Sequence, residues 1–197
     1  MSLVRYLTHP QVQIDPAVSV PQWGLSDIGR ARTKSLADSG RLQATSLIIC
    51  SAEKKAVETA EIIATSLGLA IQVREAMHEN DRTATGFLVP PEFEAVADQF
   101  FAQPTESIRG WERAVDAQAR IVREVEAVLA APVQGPDQGD VLFVGHGAVG
   151  TLLYCQLTGV AIDRRHDQPA GGGNYFTFER DSRRVVHGWK PMENPMA

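Results

Sequence analysis

The sequence predicts a three-layer α/β domain with a mostly parallel sheet of about six strands. Short apolar runs bounded by turn residues alternate with helical patterns, which is typical of strands joined by helices. The run over 141–144 is apolar at every position, as expected for a strand that is buried on both faces. Near the end of the chain two apolar runs flank Asp181 and Ser182, which predicts a C-terminal hairpin. We expect residues 1–197 to form one domain.

The first half of the chain contains three predicted strands, over 3–7, 46–50 and 69–73. Ser26 is a suitable N-cap for a helix that runs to about Gly40, and the glycine is a suitable helix end. A second helix is predicted over 54–67 because its apolar residues recur on one helical face.

The pattern loosens from 76 to 110 into polar and proline-containing sequence, with one short helix near 93–101. We expect this segment to be an insertion or lid, since long stretches without regular structure are often functional. The remaining predictions are a helix over 111–130, a Pro/Gly loop over 133–139, a strand over 141–144, a helix over 148–157, and hairpin strands over 175–179 and 185–189.

Composition and charge exclude several classes of protein. The 197 residues are 44% hydrophobic and 22% charged, which is typical of globular proteins and not of disordered chains. Nineteen basic against 24 acidic residues give a net charge of −5, so we expect no nucleic-acid partner. No apolar run approaches the length of a membrane span. With only two cysteines, Cys50 and Cys155, the chain suggests no disulfide framework, and we expect a cytoplasmic location.

Two histidines directly follow predicted strands. His9 follows the first strand, and His146 follows the strand over 141–144. Ligands bind beyond the carboxyl ends of the strands in parallel sheets, so neighbouring strands would place both imidazoles in one pocket. His78, His166 and His187 lack this placement, and we expect them to be ordinary surface or hairpin residues.

Two further strings resemble cofactor or metal-binding motifs only in part. Residues 145–150 match the GxGxxG string of dinucleotide-binding proteins, but they occur late, and no strand ending in an acidic residue follows. His78 and Glu79 begin like a zinc-protease HExxH motif, yet Arg82 stands where the second histidine would be. We therefore expect neither a nucleotide cofactor nor a metal ion.

Four strings follow one another in a recognisable order. They are Leu-Thr-His-Pro over 7–10, Ser51 through Ala60 in a pattern like S-x-x-x-R-A-x-x-T-A, Glu79, and His146-Gly147. Together they resemble the histidine phosphatase superfamily, also called the phosphoglycerate mutase-like family, over nearly the whole chain. Three positions depart from its pattern: Thr8 replaces an arginine, Pro10 a glycine and Lys55 a second arginine.

The resemblance implies a phosphoglycerate mutase-like fold and a metal-independent phosphomonoester hydrolase. In this family an imidazole attacks phosphorus and forms a phosphohistidine that water hydrolyses. By resemblance His9 is the nucleophile, His146 hydrogen-bonds the phosphoryl oxygens, and Glu79 gives a proton to the leaving alcohol. The substrate would be a small phosphorylated metabolite or a phosphoprotein. Two alternatives stay open: a weak or inactive phosphate-binding or regulatory member, and a phosphoglycerate mutase-type phosphotransferase.

Thr8, Lys55, Arg82 and Gly147 are the candidate phosphate-binding residues. Lysine supplies a point charge without the planar fork of arginine, and a threonine hydroxyl supplies no charge. We expect Lys55 and Arg82 together to replace the missing arginines, with Arg5 as the alternative to Arg82. The exposed edge of the hairpin over 185–189 could pair with a second copy and give a homodimer.

Overall fold

The computed structural model describes residues 2–131 and 139–194. Six strands form one sheet in the order β3-β2-β4-β1-β5-β6. Their bounds are β1 Leu3–Thr8, β2 Thr45–Ser51, β3 Ile71–Arg74, β4 Asp140–Gly145, β5 Asn174–Glu179 and β6 Val185–Pro191. The first four are parallel, while β5 and β6 form an antiparallel hairpin beside β1. The predicted α/β class, mostly parallel sheet and C-terminal hairpin are confirmed.

Helices cover both faces of the sheet. They are α1 Asp27–Asp38, α2 Lys54–Leu67, α3 Pro90–Ala102, α4 Ala114–Leu129 and α5 Gly147–Thr158. One apolar core lies between the sheet and α1 with α2, and a second between the sheet and α3, α4 and α5. Side chains alternate between the two cores along each central strand: Leu142 faces one and Phe143 the other. Both faces of β4 are therefore buried, which explains its uninterrupted apolar sequence.

Several predicted boundaries differ from the structure; α3, for example, begins at Pro90 and not near 93. Gly68 has a φ of 66°, and the Leu69 N–H donates to the Ala64 carbonyl. Leu69 thus belongs to the end of α2, so the third strand begins at Ile71 and not at 69. The helix predicted from 111 begins at Ala114, because a 3-10 turn at Ile108–Gly110 precedes it. The loop predicted over 133–139 lies outside the described residues except for its last position.

The segment predicted as an insertion or lid carries a 3-10 turn at Glu75–Met77 and the helix α3. Arg120 of α4 holds its start, donating to the Ala76 carbonyl at 2.8 Å and the His78 carbonyl at 2.9 Å. The same guanidinium pairs with Glu112 at 2.7 Å. These contacts fix the backbone that leads into Glu79.

Arg5 lies at the opposite edge of the sheet from the two histidines. It is 5% exposed, and its guanidinium pairs at 2.5 Å with the carboxylate of Asp140, the first residue of β4. Asp140 also accepts the Leu3 N–H at 2.9 Å. Arg5 is therefore committed to an ion pair that joins the starts of β1 and β4. Within the described residues, no helix has the length and apolar character needed to span a bilayer.

Removal of the Asp140 carboxylate should destabilise the fold, because it leaves the buried Arg5 charge without a partner. We expect Asp140→Ala to lower the free energy of unfolding in urea by about 3–5 kcal/mol. The control Lys34→Ala breaks the exposed Lys34–Asp38 pair in α1 and should cost no more than about 0.5 kcal/mol. Equal losses in the two variants would mean that the Arg5–Asp140 pair has no special weight.

Candidate active site

The two histidines meet at the carboxyl edge of the sheet because β1 and β4 are neighbours. Thr8 is opposite Gly145 in the parallel register, and the His9 N–H donates to the Gly145 carbonyl at 3.0 Å. The next residue of each chain segment is an imidazole. The ring centroids of His9 and His146 are 5.3 Å apart, with the planes inclined by 68°. The expectation that one pocket holds both rings depended on this strand adjacency, which the sheet order confirms.

His9 is held in one tautomer by its own neighbour. Its Nδ1 lies 2.8 Å from the Pro10 carbonyl oxygen. A carbonyl can only accept a hydrogen bond, so Nδ1 carries the hydrogen and Nε2 keeps its lone pair. Burial, reinforced by the positive charge of Lys55, lowers the pKa of His9 to about 4. The ring is therefore neutral at pH 7, with an unprotonated Nε2.

His146 is fully buried at the N-terminus of α5. Its Nε2 lies 2.8 Å from the Ser51 hydroxyl, which itself accepts the Glu53 N–H at 3.2 Å. Because a hydroxyl can both donate and accept, this contact engages Nε2 and leaves Nδ1 as the other ring nitrogen. That Nδ1 has no hydrogen-bond partner among the described residues. Burial holds the pKa of His146 well below its usual value.

Lys55 and Glu53 form a buried ion pair beside His146. Lys55 is 3% exposed, and its ammonium contacts the Glu53 carboxylate and donates to the Val20 carbonyl at 3.0 Å. Glu53 Oε1 lies 3.6 Å from His146 Nε2. Burial alone would raise the pKa of Glu53, but the positive charge of the contacting Lys55 ammonium outweighs it and lowers the pKa below its usual value. The ionised carboxylate therefore balances the Lys55 charge.

Glu79 caps the helix that follows His146. Its carboxylate accepts the N–H groups of Ala148 at 3.1 Å and Val149 at 3.0 Å, and also that of Asn80 at 3.0 Å. The first N–H groups of a helix have no partner inside the helix, and the N-terminus favours a negative charge. Glu79 thus connects the inserted segment to α5 and fixes the start of that helix.

Thr8 and Gly147 both contact Gln168. The Thr8 hydroxyl donates to Gln168 Oε1 at 2.7 Å and accepts the Asn174 N–H at 3.0 Å. A Cβ at Gly147 would lie 2.4 Å from Gln168 Nε2, so only glycine permits this close approach. The predicted phosphate-binding pair is therefore linked by an amide side chain from the loop before β5.

A cleft of about 640 Å³ reaches Glu53, the neighbour of His146, although neither His9 nor His146 lines it. The charged and titratable side chains in its wall are Glu53, Glu75, His78, Glu79, Asp81 and Arg82. The Arg82 guanidinium lies over the rings of Phe93 at 5.1 Å and Trp111 at 5.6 Å. No carboxylate among residues 2–131 and 139–194 pairs with it. Arg82 is close enough for its charge to contribute to the lowered pKa of both His9 and His146.

The structure gathers most of the predicted site residues at one edge of the sheet. They are Thr8, His9, Lys55, Glu79, His146 and Gly147, with Arg82 in the adjoining cleft wall. Arg5 is not among them. Sequence reasoning missed the roles of Ser51, Glu53 and Gln168. Ser51 and Glu53 belong to the family-like string over 51–60, and their position directly after a strand could have marked them as candidates. Nothing in the sequence singled out Gln168.

A family model of the histidine phosphatase superfamily (branch 1) matches residues 14–189. The chain therefore belongs to the histidine phosphatase superfamily. The matched range begins after His9, so the divergent string over 7–10 lies outside it. A comparison with curated protein sequences finds no match.

Solved structures share the fold. A mycobacterial glucosyl-3-phosphoglycerate phosphatase superposes with a TM-score of 0.75 at 20% identity, covering 96% of both chains. Bacillus stearothermophilus YhfR gives 0.74 at 19% identity, with 95% of both chains covered. A mutant phosphoserine phosphatase from Entamoeba histolytica, in complex with phosphoserine, gives 0.72 at 14% identity and 98% coverage of both. At such identities the likeness concerns the fold.

Acid should weaken the fold through His9. Its folded pKa of about 4 is below the ordinary 6.5, so the unfolded chain binds more protons between these pH values. The stabilisation is complete above about pH 6.5 and is lost as the pH falls towards 4, amounting to about 3 kcal/mol at most. Urea unfolding at pH 7 and pH 5 should therefore show a smaller pH-dependent loss for His9→Asn than for the wild type. His166→Asn, outside this site, is the control. If His9→Asn lost as much unfolding free energy between pH 7 and pH 5 as the wild type, the lowered pKa of His9 would be contradicted.

Proposed function

We propose that this protein hydrolyses phosphomonoesters through a phosphohistidine at His9 Nε2. The observation that carries the proposal is the hydrogen bond between His9 Nδ1 and the Pro10 carbonyl. It leaves Nε2 unprotonated, and the low pKa keeps the ring neutral beside the second imidazole. A neutral imidazole with a fixed free nitrogen is a competent nucleophile towards phosphorus.

The proposed reaction has two displacements at phosphorus. His9 Nε2 forms a bond to phosphorus as the ester P–O bond breaks, and the leaving alkoxide takes a proton from Glu79. Water then attacks the phosphoryl group, giving its proton back to Glu79 and releasing inorganic phosphate and the free imidazole. His146 Nδ1 has no hydrogen-bond partner among the described residues, and in the proposed scheme it carries the hydrogen and donates it to a phosphoryl oxygen. Glu79 lines the cleft into which the leaving group would extend.

Arg82 is the proposed source of positive charge for the phosphoryl group. A dianion in a partly enclosed pocket needs compensating charge, because uncompensated burial of charge is very unfavourable. Lys55 is balanced by Glu53, whereas Arg82 has no carboxylate partner in the described part of the chain. Arginine and the imidazoles would supply the electrostatic stabilisation, so the scheme requires no metal ion.

The proposed substrate class is small phosphorylated metabolites. A cleft of about 640 Å³ lies within the usual range for small-molecule sites, about 300–1,000 Å³. Fold neighbours include phosphatases for glucosyl-3-phosphoglycerate and for phosphoserine, and one of the former was solved with inorganic phosphate. These are properties of the neighbours, and they support the same class of substrate here.

A second candidate is a phosphate-binding member with little or no turnover. The buried Glu53 carboxylate favours it, since Glu53 cancels the charge of Lys55, the residue aligned with a family arginine. Glu79 also accepts three backbone N–H groups, so its carboxyl group is already engaged in holding the start of α5. Such a protein would bind phosphate without hydrolysing esters at a useful rate.

Incubation with acetyl phosphate should leave a phosphoryl group on the protein that survives base and is lost in acid. We expect His9→Gln to abolish both this labelling and the hydrolysis of p-nitrophenyl phosphate, because it removes the proposed attacking Nε2, while Nε2 of the neighbouring His146 is engaged by the Ser51 hydroxyl. The matched control is His187→Gln in β6, which should label and hydrolyse like the wild type. Labelling without turnover in the wild type would support a phosphate-binding protein with little hydrolysis. Undiminished labelling of His9→Gln would show that His9 is not the nucleophile.

Arg82→Ala should lower kcat/KM for p-nitrophenyl phosphate by about 10²–10³, the usual cost of one preorganised electrostatic group. Arg82→Lys should retain part of the activity, since lysine keeps the charge without the fork. The control Arg109→Ala removes an exposed arginine of the same segment that pairs with Glu92. If Arg82→Ala and Arg109→Ala both match the wild type, the phosphoryl group does not bind near Arg82.

A further inference from the structure

We propose that Gln168 binds the substrate phosphoryl group through its side-chain Nε2, in place of the arginine that the family has at the position of Thr8. The inference rests on the proposed function and names a residue that lies outside all four family-like strings. Its basis is a chain of hydrogen bonds that fixes both the position and the orientation of the Gln168 amide.

The backbone of Gln168 is anchored to α5. The Asp167 carboxylate accepts the Gln168 N–H at 2.7 Å and the Thr151 hydroxyl at 2.8 Å through the same oxygen. Thr151 is fully buried in α5. The loop before β5 is thus tied to the helix that begins directly after His146.

The orientation of the amide follows from one carbonyl that can only accept. Asn174 Nδ2 donates to the Pro169 carbonyl at 2.8 Å and to Gln168 Oε1 at 3.0 Å. A flipped Asn174 would set its oxygen against the Pro169 oxygen, so its amide nitrogen must face both acceptors. Gln168 Oε1 therefore points to Asn174 and to the Thr8 hydroxyl, and Nε2 points the other way.

Nε2 then lies between the two imidazole-bearing segments. Oε1 contacts Thr8, which precedes His9, and Nε2 approaches Gly147, which follows His146. Nε2 has no hydrogen-bond acceptor among residues 2–131 and 139–194. An amide whose oxygen has two donors and whose nitrogen has no acceptor is a preorganised donor for an anion.

The substitution at Thr8 is intelligible in this arrangement. A threonine hydroxyl cannot neutralise a phosphate, but it can hold the glutamine amide in place, which makes Thr8 a positioning residue. Gly147 leaves room for the amide nitrogen, since a Cβ would lie 2.4 Å from it. In this arrangement a neutral amide, that of Gln168, replaces the charged arginine as the phosphate ligand, and Thr8 and Gly147 allow it to do so.

The test compares inorganic phosphate binding, by calorimetry, with hydrolysis of p-nitrophenyl phosphate. We expect Gln168→Leu to weaken phosphate binding about tenfold or more and to lower kcat/KM by about 10²–10³. Gln156→Leu, at an exposed position of α5, is the matched control and should change neither value. Gly147→Ala should also weaken phosphate binding, because its methyl group displaces the amide while Gln168 itself is retained.

The positioning role of Thr8 has its own readout. Thr8→Val should weaken phosphate binding, whereas Thr8→Ser should restore it because the hydroxyl is retained. In the Thr8→Val, Gln168→Leu double variant the losses should be less than additive, since Thr8 acts through Gln168. Additive losses, or no rescue by serine, would contradict this coupling.

The outcomes separate this inference from the proposed function. If the wild type binds and hydrolyses while Gln168→Leu behaves in the same way, the inference is overturned and the proposed function stands. If the wild type binds phosphate without hydrolysis and Gln168→Leu binds it more weakly, the inference stands and hydrolysis is refuted. A wild type that binds no phosphate overturns both.

Discussion

The parallel pairing of β1 with β4 is the constraint on which the site depends. These two strands lie in the middle of the sheet, and their register places Thr8 opposite Gly145. One residue further, each segment leaves the sheet with a histidine. Because both strands are buried on both faces, a shift in register would misplace apolar side chains in two cores at once. The geometry of the imidazole pair is therefore maintained by the packing of the whole domain.

The sequence was sufficient to predict those features that depend on residues close together in the chain. Alternation of apolar runs with amphipathic helices predicted the layers, and the position of His9 and His146 after strands predicted a common pocket. The pairing of Lys55 with Glu53 could not be predicted, because it depends on the orientation of both side chains in the folded, buried site. The contact of Thr8 with Gln168 spans 160 residues of chain, and periodicity carries no information about such a contact.

The electrostatics of the site differ from a simple cationic pocket. Of the two predicted cations, Lys55 is already balanced by Glu53, and only Arg82 lacks a carboxylate partner in the part of the chain that the structure describes. The remaining proposed donors are neutral: His146 Nδ1 and the Gln168 amide. Hydrogen bonds from neutral groups are weaker than charge-assisted ones, so their alignment decides how well an anion binds.

The need to align neutral donors explains why many polar groups around the site bind to one another and hold the donors in place. Asp167 fixes the Gln168 backbone, Pro169 fixes the Asn174 amide, and Glu79 fixes the start of α5. Each contact removes a rotational freedom that a flexible donor would lose only on binding, which lowers the entropic cost of binding an anion. A cation tolerates small errors in position because its attraction falls slowly with distance, whereas a hydrogen-bond donor does not. Replacing a charged ligand with neutral donors therefore requires a more rigid surrounding network.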